Sequence, residues 1–232
     1  MRLNQYIACS GYCSRRQAER LITAEKVLVN GQIAPHVYFV KESDQVEIDG
    51  HKIIHTSHKV YIILNKPRGI TCTASPLIAD NIIDFVAYPE RIFPVGRLDK
   101  DTEGLILLTN DGSIVNELMK QESKQEKEYI VTVDKKITAS FIEDLSNGVD
   151  IYNPRSKGYM KTMACPVHQL NDYTFRITLS QGLNRQIRKM CRRFQYTVTH
   201  LQRVRIKHIE LGSLEYGQWR HLTEEELAGF NR

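Results

Sequence analysis

The sequence predicts an α+β protein in two parts, a small N-terminal module over residues 1–58 and a larger domain over residues 59–232. The larger part should be built on a mixed, mainly antiparallel sheet. Three observations carry that expectation. Tyr129, Val131 and Val133, and again Tyr173, Phe175, Ile177 and Leu179, recur at period two, as half-buried antiparallel strands do. Helical stretches fall between such runs without the crossover rhythm of a parallel sheet, and no Gly-rich phosphate loop follows a strand, so no nucleotide cofactor is indicated. Lys52 to Lys59 is a polar stretch that separates two hairpin signatures from the rest and sets the boundary.

Taken in order, Leu3, Tyr6 and Ile7 give a short helical face stopped by Gly11. Ser14-Arg15-Arg16-Gln17 has the form of a capping box, and Ala18, Leu21, Ile22 and Glu25 continue that helix. Val27 to Ile33 is a strand entering an Asn30-Gly31 hairpin, and Val46 to Gly50 repeats the pattern with Asp49-Gly50. Tyr61 to Asn65 is a buried strand stopped by Lys66-Pro67-Arg68-Gly69, and Leu105 to Thr109 is another, closed by Asn110-Asp111-Gly112. Ser113 should cap a helix with Ile114, Val115, Leu118 and Met119 on one face. Thr138 to Asn147 is a helix with Phe141, Ile142 and Leu145 inward and Gly148 as its stop. Residues 184–195 form a helix whose apolar stripe is Ile187, Met190, Cys191 and Phe194.

The formal charge of +5 suits a nucleic-acid partner. Five cysteines without CxxC spacing give neither a disulfide framework nor a zinc site, and read as reduced thiols. His51, His55 and His58 have helical spacing, but no carboxylate or cysteine completes a metal set, so no metal is expected. The first residues are polar and no apolar run reaches the ~18–20 residues of a membrane span, which points to a soluble cytoplasmic protein.

Between Tyr173 and Ile209 there is no Asp or Glu, while arginines and lysines recur from Arg176 to Lys207. Such a tract suits a polyanion, whose counterions each phosphate contact releases. Arg185, Lys189, Arg192 and Arg193 lie opposite the apolar stripe, with Arg188 at its margin. Arg188 either reaches inward to hold a carboxylate ionised or snorkels over the core edge. Asp99, in Gly96-Arg97-Leu98-Asp99, is either a turn former or that carboxylate. Tyr129 stands at a strand start, where most tyrosines pack. Arg15 and Arg16 fall on the polar helix face, as solvated charges or as RNA contacts.

Two resemblances narrow these alternatives. Arg2 to Ile7, Gly11, Ser14 to Ala18 and Val27 to Gly31 resemble the S4 RNA-binding domain. Phe93 to Asp99, Thr102 to Leu105, Leu108 to Gly112, Lys127-Glu128-Tyr129 and Gln181 to Met190 resemble, in order and spacing, the motifs of RNA pseudouridine synthases. Asn65-Lys66-Pro67-Arg68-Gly69 is similar to that family's first conserved stretch. With an S4-like module in front, the chain resembles the RsuA/RluB/RluE/RluF branch, and its RluF subgroup most.

The resemblance implies isomerisation of a uridine in ribosomal RNA, expected in the 23S molecule, with tRNA as a further candidate. It implies no cofactor; a monomer is the default expectation, and the sequence leaves the oligomeric state open. Asp99 would be the catalytic carboxylate, Tyr129 the tyrosine stacked on the target base, and Arg188 the cationic partner of Asp99. Leu201 would close the pocket and Arg97 would enter the RNA stack, while Asn184, Arg185, Arg15 and Arg16 would bind RNA. Covalent attack by the carboxylate at C1′ and removal of the C2′ proton both remain open.

Overall fold

A computed structural model describes residues 1–54, 58–119, 125–154 and 156–230. The N-terminal part holds α1 (Leu3–Cys9), α2 (Arg15–Thr23), β1 (Val27–Val29), β2 (Gln32–Ile33), β3 (Val46–Ile48) and β4 (His51–Ile53). The four strands form one antiparallel sheet in the order β2-β1-β3-β4. Asn30-Gly31 and Asp49-Gly50 turn its two hairpins with all four residues at positive φ, as primed two-residue turns require. Leu3, Ile7, Ala18 and Ile22 from the helices close over Val27, Val46 and Ile48 to make a separate small core.

The second part adds β5 (Tyr61–Lys66), α3 (Ile82–Val86), β6 (Phe93–Val95), β7 (Glu103–Thr109), α4 (Gly112–Met119) and β8 (Lys127–Val133). It continues through α5 (Ala139–Ser146), β9 (Asp150–Asn153), β10 (Gly158–Lys161), β11 (Val167–Gln169) and β12 (Thr174–Leu179). α6 (Gln186–Arg193), β13 (Val198–Ile206), β14 (Ile209–Glu210), β15 (Trp219–His221) and α7 (Glu224–Ala228) complete it. The main sheet runs β11-β12-β8-β13-β7-β5-β15, with β14 on β13 and β6 on β7. Every neighbouring pair is antiparallel except β13 with β7, which pair in parallel through Gln202↔Glu103 and Arg203↔Gly104.

All of β7 is buried because both of its faces are covered. Leu105 and Leu107 enter a core shared with Ile114 and Phe230, while Ile106 and Leu108 enter another with Ile82 and Val86. That two-sided burial explains why this strand reads as a continuous apolar run. On the β8–β12–β13 half, Val131, Phe175 and Leu201 pack against Phe141 and Leu145 of α5 and Ile187, Met190 and Cys191 of α6. Among the described residues no helix is long and apolar enough to cross a membrane.

Several expectations are corrected. The helix expected at 184–195 starts only at Gln186, because Arg185 adopts φ 51°, a left-handed conformation that no helix interior tolerates. Glu25 likewise has φ 56° and lies beyond the end of α2. Asp111, rather than Ser113, does the capping at α4: its Oδ1 accepts from the Ser113 backbone N at 2.9 Å and Oγ at 2.7 Å. Tyr173 lies just outside β12 and is exposed. Lys52 and Ile53 belong to β4, with Ile53 in the small core, so the polar stretch is shorter than expected. His55 and the side chains of Leu118 and Met119 lie outside the described residues.

Candidate active site

The loop from β6 to β7 carries Asp99, and its two neighbours fix it. Gly96, at φ 76°, turns the chain out of β6. Leu98 then drops into the core beside Ile82 and Ile106, with its backbone N 3.4 Å from the Cys72 Sγ. Burying Leu98 leaves Arg97 exposed and Asp99 partly exposed on the other side of the chain. The Thr102 backbone N donates to the Asp99 carbonyl at 3.0 Å and closes the turn before β7.

Lys66 holds this loop from beneath. Fully buried at the end of β5, its Nζ donates to the carbonyls of Pro67 at 2.7 Å, Ile70 at 2.9 Å and Lys100 at 3.5 Å. Burial pulls its amino group below the usual lysine range, and nearby Asp99, Asp101 and Glu103 act against that shift. The Gly69 backbone N also donates to the Lys100 carbonyl, at 2.8 Å. The stretch after β5 and the Asp99 loop are thereby one hydrogen-bonded unit.

Cations reach the loop from the start of α6, in an arrangement different from the expected one. Arg188 does not pair with Asp99. Its guanidinium donates to the carbonyls of Val198 and Asp101, each at 3.0 Å, and lies 3.7 Å from the Asp101 carboxylate. Those two carbonyls fix the side chain against the core edge, and burial draws its pKa down. The cation beside Asp99 is Arg185, at 3.8 Å. Arg185 also grips Asp101 with both terminal nitrogens, at 3.1 and 3.2 Å, which holds the Asp101 carboxyl below its usual range. The left-handed backbone of Arg185 is what swings its side chain toward the loop and away from the helix face.

Tyr129 begins the opposite wall. On β8 it faces Ile177 of β12 and Arg203 of β13, and it packs partly exposed between the two cores that flank the seam of the sheet. Leu201 shares that face, opposite Val131, and is buried. Arg203, one strand from Tyr129, is the register partner of Gly104. The sheet therefore brings the Asp99 loop, at the start of β7, close to the strands that carry Tyr129 and Leu201. Asn184 and Arg185 are exposed in the loop before α6, and Arg15 and Arg16 are exposed on α2.

The basic tract is less available than its composition implies. Arg203 is buried, its Nε donating to the Leu105 carbonyl at 2.7 Å. Arg205 pairs with Glu126 at 3.3 Å and Glu128 at 3.5 Å, and Arg176 pairs with Glu128 at 3.5 Å. The tract lacks acids of its own, but β8 lies between its two strands, and Glu128 on β8 and Glu126 just before it supply them. Arg192 and Arg193 remain exposed on α6. The sequence assigns no role to Asp101, nor a particular one to Lys66 or Arg203. The spacing of two between Asp99 and Asp101 was the available signal for the first.

Comparison with known proteins adds independent findings. A family described as RNA pseudouridylate synthase matches residues 60–193, and the S4 domain matches residues 1–46. The chain is 47% identical to the dual-specificity RNA pseudouridine synthase RluF of Escherichia coli (strain K12), over 98% of this chain and 77% of that protein. It is 33% identical to the ribosomal large subunit pseudouridine synthase B of Bacillus subtilis (strain 168), over 97% and 93% of the two. A crystal structure of a pseudouridylate synthase superposes with a TM-score of 0.70 at 28% identity, covering 99% of each chain.

Proposed function

The chain belongs to the RNA pseudouridylate synthase family, and from that premise we propose that its substrate is large-subunit (23S) ribosomal RNA, with tRNA as a second substrate, and that Asp99 is its catalytic carboxylate. The observation that carries the site is the placement of Asp99: a partly exposed carboxylate on a loop pinned by Leu98 and Lys66, with Arg185 3.8 Å away. The substrate reading is supported by the relatives named for dual specificity and for the large ribosomal subunit.

In the reaction the C1′–N1 bond breaks, the uracil turns, and a C5–C1′ bond forms while the C5 proton leaves and N1 takes one up. The isomerisation as written needs no net redox change and no group donor, and the proposed route uses no cofactor. An Asp99 carboxylate suits either route, attack at C1′ or removal of the C2′ proton. Arg185 and Arg188 bring positive charge to the loop, and the bond from Arg185 holds the Asp101 carboxyl below its usual range. A base within a helix is out of reach, so the target nucleotide is flipped, with exposed Arg97 filling the vacated stack and Tyr129 stacking on the base. Leu201 contributes the apolar wall. Asn184 and Arg185 meet the RNA near the target, and Arg15 and Arg16 meet it through the 1–58 module. The enzyme works as a monomer in the cytoplasm.

The test is tritium release from RNA labelled at C5 of uridine. Asp99→Asn should abolish release while RNA affinity stays within a few-fold, because phosphate contacts elsewhere carry most of the binding. Substantial release by the purified variant removes Asp99 from the mechanism.

A further inference from the structure

The β9–β10 hairpin has two faces with different chemistry. In its antiparallel register Tyr152 pairs with Tyr159, and Asp150 with Lys161. Those four side chains share one face, and all four residues are exposed. The alternate positions turn inward, where Ile151 is buried in the core with Met190 and Cys191 of α6. Inward packing thus accounts for Ile151 and leaves the tyrosines unexplained. Tyr159 is 77% exposed and Tyr152 46%, with ring centroids 5.7 Å apart in an edge-to-face pair.

The surroundings of this aromatic pair are basic. Lys161 lies beside it on the same face, and Lys157 is exposed in the turn. Lys189 of α6 donates to the Tyr152 carbonyl at 3.1 Å, which ties the hairpin to the helix that bears Arg192 and Arg193. Asp150 is the acid of the face. Large rigid rings with cations at their edges suit unpaired bases, whose π-faces stack while lysines meet the phosphates. An apolar protein partner would not call for the lysines, and a paired duplex would offer no free base faces.

We infer that the outward face of the β9–β10 hairpin is a stacking platform for unpaired nucleotides of the RNA substrate, adjoining the α6 end of the active site. The inference rests on RNA being the substrate and adds where its single-stranded flank lies.

The experiment uses the full chain and two probes: a stem–loop RNA with unpaired uridine-containing loop nucleotides, and the same stem extended so that those nucleotides are paired. Tyr159→Ala should raise Kd for the loop RNA by at least about five-fold, with an unchanged dependence on salt. Tyr159→Phe should bind as the parent does, and the paired probe should not distinguish the variants. Lys161→Ala should flatten the salt slope by about one. Tyr159→Leu keeps apolar bulk without the ring and gives the same reading if Ala disturbs folding in a thermal melt. Parental binding of the loop RNA by Tyr152→Ala/Tyr159→Ala overturns the proposal, as does equal weakening toward both probes. Weakening seen only with the RNA assembled into ribonucleoprotein also overturns it and assigns the face to a protein. Tritium release by the parent, measured in parallel, separates the outcomes: absent release refutes the proposed reaction and leaves the binding result standing.

Discussion

Gly104→Ala tests how the two halves of the main sheet are joined. Gly104 sits at φ 97°, where a residue with a Cβ is strained by roughly 1–3 kcal/mol. Its Cβ would also come 2.8 Å from the Arg203 backbone N and 2.9 Å from the Gln202 Cγ, and closer still to the Arg203 carbonyl oxygen. Two of these three obstacles are backbone, so no rotamer change relieves them. β13 would have to move by roughly 1 Å, and forced overpacking of that kind costs about 1–3 kcal/mol. The sum, about 2–6 kcal/mol, is a large part of the roughly 5–15 kcal/mol that holds a domain folded. The displacement falls on the parallel pair that joins β7, which follows Asp99, to β13, which carries Leu201 and Arg203. Urea unfolding should show the loss of stability, and single-turnover tritium release below the melting range should fall at least about ten-fold from misalignment. A variant within about 1 kcal/mol of the parent and with unchanged turnover would refute the argument from close approach.

Three further outcomes are expected. Arg188→Ala should collapse turnover at saturating RNA while barely changing the salt slope of binding, whereas Arg192→Ala should flatten that slope by about one; matching results in both assays would make Arg188 one more surface cation. Lys66→Met should cost about 1–3 kcal/mol in urea unfolding, since two short charge-assisted bonds are lost and the cost of burying the charge is recovered. It should also lower turnover more than affinity, and equal losses in the two would show that Lys66 does not position the Asp99 loop. The Asp101 carboxyl is held down by Arg185, so its contribution to stability should be full above the ordinary carboxylate pKa of about 3.9 and vanish as pH falls through its lower folded value. Comparing the melting of the parent and Asp101→Asn from pH 7 to pH 2 checks this. The difference should stay under about 1 kcal/mol, because Asp101 is 42% exposed.

Local patterns in the sequence were legible where one physical rule governs a short stretch. Asn30-Gly31 and Asp49-Gly50 encode hairpins by their tolerance of positive φ, and Ile187, Met190 and Cys191 encode the buried stripe of α6. Asp99 was legible as a candidate because its motif is contiguous. Its cation was not. Which arginine approaches Asp99 depends on the left-handed turn at Arg185 and on the carbonyls of Val198 and Asp101 that hold Arg188, and residues so distant in sequence meet only in the folded chain. The basic tract was overread for a related reason. Glu128 on β8 and Glu126 just before it pair with Arg205 across the sheet, which composition along the chain does not show. β9 and β10 were missed because each is four residues long and only Ile151 is buried as core.

The three carbonyls gathered by Lys66 also bear on the entropy of the reaction. Pro67, Ile70 and Lys100 belong to two chain segments that would otherwise fluctuate independently near the start of β7. A single ammonium group satisfying all three leaves the segment beside Asp99 few conformations to surrender when RNA arrives. Its ordering is completed during folding, so binding energy from the RNA is left for extracting the nucleotide from its stack. Loosening the clamp would therefore appear first as a more unfavourable activation entropy, before any contact to substrate had been removed.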